Sequence, residues 1–144
     1  MGDHIATASV VIDSSPEEVW NALTDPAMVK QYYFGTDVTT DWQPGSPITW
    51  SGEYEGKQYE DRGEILRIDP PRVLQHTHFS PLGGSPDVPE NYHTVTYTLT
   101  PSGSGTEVTL EQDNNDTPGA AEHAAGNWTT MLEGLKALLE APRD

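Results

Sequence analysis

Toward its C-terminal end the chain sorts apolar residues onto one helical face. Trp128, Leu132, Leu135 and Leu139 recur at helical spacing, and Met131 and Leu138 widen the row to a stripe, which predicts a long helix over 126–140 with Pro142 to stop it. The middle of the chain has a different period. Runs rich in Thr, Val and Tyr, broken by turn residues at short intervals, predict antiparallel strands at 36–40, 48–54, 57–68, 73–79, 92–100 and 106–113. Turns are expected at Gln43-Pro44-Gly45, Glu55-Gly56 and Asp69-Pro70-Pro71, and 80–91, with Gly83-Gly84, reads as an irregular loop. The clearest pair is the last. Val95, Tyr97 and Leu99 alternate on one strand and Val108 and Leu110 on the next, so one face of this hairpin is buried and the other solvated. Residues 114–119 read as a linker into the final helix.

The N-terminal part opens with near alternation over 5–13, a further strand. Ser15 then caps a helix, Pro16 fits its first position, and Glu18 completes a capping box. Val19, Trp20, Ala22 and Leu23 supply its buried side until Asp25-Pro26, after which a second short helix carries Met28 and Val29. The order predicts an α+β fold, a single domain over 1–144. In it a curved antiparallel sheet of six or seven strands wraps around a long C-terminal helix, with two short helices after the first strand.

Composition narrows the function classes. The 23 acidic residues against 7 basic ones give a formal net charge of -16, and the few Lys and Arg are dispersed, so no footprint for nucleic acid or an anionic membrane surface is expected. With no cysteine, disulfides and cysteine-based metal or nucleophile chemistry are excluded. Neither a signal peptide nor a membrane span is read from the sequence, and a cytoplasmic location is expected.

Several segments resemble one known group. Ser15-Pro16-Glu17-Glu18-Val19-Trp20-Asn21-Ala22-Leu23-Thr24-Asp25-Pro26 is similar to the opening of the START-like (SRPBCC) superfamily, in the branch related to the activator of the heat-shock protein 90 ATPase. Gly63-Glu64-Ile65-Leu66-Arg67-Ile68-Asp69-Pro70-Pro71-Arg72-Val73-Leu74, Gly105-Thr106-Glu107-Val108-Thr109-Leu110 and the helix from Gly126-Asn127-Trp128 to Leu139 resemble its later segments, in the same order. Where that branch places a Trp after the first helices, this chain has Gln31-Tyr32-Tyr33-Phe34. The resemblance implies a helix-grip fold around a cavity for hydrophobic or amphipathic molecules, and no shared catalytic residue. Its members include carriers, aromatase and cyclase enzymes, and co-chaperone domains.

Strand alternation makes the cavity residue-specific. Leu74, His76 and His78 share a face, His93 shares one with Val95, Tyr97 and Leu99, and Gln112 one with Val108 and Leu110. The expected ligand site is therefore a polar set of His76, His78, His93, Tyr97 and Gln112, with Trp50 and Trp128 as aromatic walls and Leu132 from the helix. On the alternative reading the histidines sit hydrated and inert at strand ends. His76, His78 and His93 lack a further metal ligand at a telling spacing, so neither a metal nor a cofactor is expected. Asp61 faces opposite to Glu60, Arg62 and Glu64, but a bulge at Gly63 would reverse the phase, and the inward side stays open. The expected partner is a small hydrophobic or aromatic molecule such as a lipid, sterol or polyketide. The alternatives are a polyketide cyclase, aromatase or dehydratase using a cavity histidine and carboxylate, and a chaperone-ATPase regulator acting through its surface.

Overall fold

The computed structural model describes residues 4–33, 35–54, 56–80 and 86–140. Strand β1 (His4–Ile12) leads into helix α1 (Pro16–Thr24) and helix α2 (Pro26–Tyr32). Strands β2 (Asp37–Thr40), β3 (Pro47–Tyr54), β4 (Lys57–Asp69), β5 (Val73–His78), β6 (His93–Ser102) and β7 (Gly105–Asn115) follow, then helix α3 (Pro118–Glu140). All seven strands form one antiparallel sheet in the order β1-β7-β6-β5-β4-β3-β2. This is the expected helix-grip α+β architecture.

Local chemistry sets the element ends. Ser15 Oγ accepts from the Glu18 N–H at 3.2 Å while Glu18 Oε1 accepts from the Ser15 N–H at 3.3 Å, a complete capping box with Pro16 at the first helical position. Asp25 Oδ1 does the same for α2, accepting from the Ala27 N–H at 3.0 Å. The core lies between the sheet and α3. Met131, Leu132 and Leu135 are fully buried against Ile12, Val95, Val108 and Leu110, each such side chain contributing about 1.5–3 kcal/mol of burial. At its far end α3 also clips the edge of the sheet: Lys136 Nζ donates to the Val11 carbonyl at 2.7 Å, and Glu140 Oε2 accepts from the Asp13 N–H at 2.8 Å.

One expectation is corrected and one open point is settled. The final helix starts at Pro118, not at 126, and the linker shrinks because β7 runs on to Asn115. Thr117 Oγ1 caps the helix, accepting from the Ala120 N–H at 3.0 Å, with Pro118 behind it, but Gly119 and Gly126 in the first turns hide this start from an apolar-period reading. The second concerns β4. Its phase does not reverse at Gly63: Asp61, Gly63 and Ile65 all turn to the concave side while Glu60, Arg62 and Glu64 are exposed, and the register shifts only between Ile65 and Arg67. Gly63 serves a different need, since a Cβ there would collide with the Thr77 carbonyl of β5. The expected stop at Pro142, the Gly83-Gly84 loop centre, Glu55 and Phe34 lie outside the described residues.

Gly63→Ala is expected to destabilise the protein by on the order of 1–3 kcal/mol through this backbone collision, read as a lower urea midpoint with an unchanged m-value.

Candidate functional site

Because α3 fills the grip, little space remains deep inside. A void of about 20 Å³, enough for about one water, lies among Tyr32, Tyr33, Trp42, Trp50, Leu74, His76 and Tyr97. The larger space is a cleft of about 360 Å³ at one end of the helix–sheet interface. Its walls come from the end of α2 (Tyr33), from β4 (Asp61), β5 (His78), β6 (His93) and β7 (Gln112 and Asn115), and from the first half of α3 (His123, Ala124, Asn127 and Trp128). Tyr33 lines both spaces and so stands between them. Two further depressions of about 380 and 370 Å³, one beside Asp87 and Tyr92 and one beside Glu17, Asn21 and Met28, lie away from this convergence of polar and aromatic groups.

The cleft's wall includes an acid–base pair. His78 Nε2 and Asp61 Oδ2 are 3.0 Å apart, with the side chains only 14% and 17% exposed. Their other polar atoms, His78 Nδ1 and Asp61 Oδ1, are buried and have no protein hydrogen-bond partner among the described residues. The remaining polar groups are fixed by local bonds. Trp128 Nε1 donates to Gln112 Oε1 at 2.6 Å, Asn115 Nδ2 donates to the Gln112 carbonyl at 3.0 Å, and His93 Nδ1 donates to the Asp113 carbonyl at 2.7 Å. Trp128 also meets Tyr33 edge to face, centroids 6.0 Å apart, so two aromatic rings line the cleft side by side. Burial, and after it the neighbouring Tyr97 and Asp61, raise the Tyr33 pKa well above its ordinary value, which leaves a neutral phenol.

The eight residues read from the sequence divide between these spaces. His78, His93, Gln112 and Trp128 line the cleft; Trp50, His76 and Tyr97 line the inner void; Leu132 lines neither and is core. Trp50 joins the two groups, since its ring lies 4.9 Å from that of His76 and 5.0 Å from that of His78. His123, Asn127 and Asn115 were missed. His123 lies before the helix read from the apolar period, Asn127 is a polar residue in that helix's first turn, and Asn115 fell in the supposed linker. Among the described residues no cluster of three or more His, Asp or Glu is arranged to hold a metal, and no helix is long and apolar enough to cross a membrane.

Fold and sequence together define the group. The description of activator of Hsp90 ATPase homolog 1-like proteins matches residues 13–140, and the chain belongs to this family. It is similar to ChR145 from Cytophaga hutchinsonii, whose solution structure is 52% identical with a TM-score of 0.85 over 97% of this chain and 96% of that one. It is also similar to the Aha1 dimer from Colwellia psychrerythraea, at 21% identity and a TM-score of 0.74 over 98% and 99% of the two chains. DynU16, a putative protein in the dynemicin biosynthetic locus, is 22% identical with a TM-score of 0.79 over 96% of this chain and 48% of its own. The last two show the fold alone. No curated protein matches the chain.

His76 gives the site a measurable pH signature. Burial lowers its pKa to about 4, opposed by its bond to the Thr77 carbonyl at 2.9 Å and assisted by His78. The unfolded chain therefore takes up this proton near pH 6.5 and the native chain only near 4, so stability falls as pH drops through that window, by about 3 kcal/mol in all. His76→Gln is expected to lack this part of the slope, measured as urea-unfolding free energy against pH beside the parent.

Proposed function

We propose that the protein binds a small aromatic molecule carrying hydrogen-bonding groups, held in the cleft between the sheet and the first half of α3. The observation that supports this most is the cleft itself. At about 360 Å³ it falls within the size range of small-molecule sites, with Trp128 and Tyr33 as flat walls and Asp61, His78, His93 and Gln112 converging on it. The inner void of about 20 Å³ leaves no room in this state for a sterol nucleus or an acyl chain, which narrows the ligand class to molecules that the cleft accommodates.

A cyclase-, aromatase- or dehydratase-like activity is the second reading. The observation in its favour is the Asp61 carboxylate paired with His78 inside the cleft, because proton transfer to or from a substrate needs a positioned base whose partner stabilises the charge it acquires.

Titration with two- and three-ring aromatic compounds, followed by melting temperature and calorimetry, tests the binding reading. A ligand that binds the native state raises the melting temperature with concentration, and Trp128→Ala is expected to weaken binding by about tenfold or more. If no compound binds, or if Trp128→Ala binds like the parent, the cleft is not the ligand site.

A further inference from the structure

The cleft's hydrogen bonding has a definite polarity. Among the described residues that line it, Asp61 is the one carboxylate, and no Lys or Arg offsets that charge. The carboxylate can only accept, so the bond between Asp61 Oδ2 and His78 Nε2 at 3.0 Å makes Nε2 the donor. In neutral His78 the proton is then on Nε2, and Nδ1 is a bare acceptor. With His78 neutral, both unpartnered atoms of the pair, Asp61 Oδ1 and His78 Nδ1, are acceptors. His93 repeats the pattern: its Nδ1–H is committed to the Asp113 carbonyl, which leaves Nε2 as an acceptor in the neutral ring.

We propose that the cleft selects aromatic ligands that donate hydrogen bonds, namely phenols and catechol-type diols, and discriminates against aryl carboxylates, with Asp61 Oδ1 and His78 Nδ1 as the atoms that accept. This deepens the binding reading above and rests on it. A buried acceptor without a partner carries a desolvation penalty that a ligand hydroxyl relieves, and shielding from water strengthens the bond so made. An aryl carboxylate brings no donor and sets a second negative charge beside Asp61 in a protein of formal net charge -16. Both atoms are covered in this state, so the ligand reaches them with a side-chain shift in the cleft wall, a common adjustment on binding.

Naphthalene-2,3-diol, 2-naphthol and 2-naphthoate share one ring system and differ in the group at issue. Calorimetry of the full chain at neutral pH is expected to rank them in that order of affinity, with at least about tenfold between diol and carboxylate. Asp61→Asn, whose amide removes the charge and adds N–H donors, is expected to narrow that gap by about tenfold, with circular dichroism and melting temperature confirming the fold. Glu60→Gln removes one charge from the exposed side of the same strand and is expected to leave the gap unchanged. Binding of all three probes with equal affinity, or with naphthoate tightest, overturns the selectivity while leaving the cleft as the site. An equal narrowing in Glu60→Gln and Asp61→Asn overturns it too, by tracing the preference to overall charge. Failure of all three probes to bind the parent overturns the binding reading itself.

Discussion

The packing of α3 into the concave face of the sheet is the constraint on which the other features depend. An open curved sheet exposes one apolar face, and only a continuous helical stripe of matching length closes it. Met131, Leu132, Leu135 and Leu139 do this over the second half of α3, where they are buried in one core cluster with Ile12, Val95, Val108 and Leu110. The first half of the helix is different. From Pro118 to Asn127 Ala121 is its buried residue, and His123 and Asn127 line a gap instead of filling it. One helix therefore has two jobs along its length, closing the core at one end and opening a cleft at the other.

That division explains where the polar groups lie. A polar side chain inside the packed half would need a partner at every atom. His76 comes nearest to this condition, satisfied at Nδ1 by the Thr77 carbonyl and kept neutral by burial, and it faces a void rather than the cleft. Two residues further along β5, His78 reaches the cleft and pairs with a carboxylate. Strand alternation gives both histidines the same face, and only their position along the strand separates a quiet core histidine from one that lines the cleft. Trp50 packs against both rings.

Much of this was legible in the sequence because β periodicity is strict. The parity of Leu74, His76 and His78, of His93 with Val95, and of Gln112 with Leu110 needed only a period of two, and the capping box at Ser15 and Glu18 fixed the first helix. The facing of Asp61 was not legible. One inserted residue reverses every side chain beyond it, and the sequence offers Gly63 as the obvious place for that insertion, whereas the register shift falls between Ile65 and Arg67. Gly63 is there because β5 approaches too closely for a side chain, a reason that depends on a strand met only after folding. Likewise His123 and Asn127 lie on helical turns whose composition, with Gly119, Gly126 and several alanines, carries almost no amphipathic signal. The helix there is fixed by its cap at Thr117 and by continuity with the packed half, not by its own face toward the core.

The same reasoning separates what the fold holds constant from what it leaves to each chain. Chains at 21% and 22% identity keep this architecture at TM-scores of 0.74 and 0.79, which capping, turn and core residues suffice to explain, since hydrophobic pattern and volume specify the grip. The cleft walls answer to no such requirement. They come from strand ends and from a helical segment that buries little apolar surface, so they can change without loss of the core. Among the described residues those positions hold one carboxylate, three histidines and two aromatic rings, and a polar pair with two unpartnered atoms survives among them. Such a pair adds nothing to stability that an apolar substitution of the same shape would not match. Its presence in a part of the helix–sheet interface that the fold does not need to fill is the physical ground for the proposal that a ligand binds there.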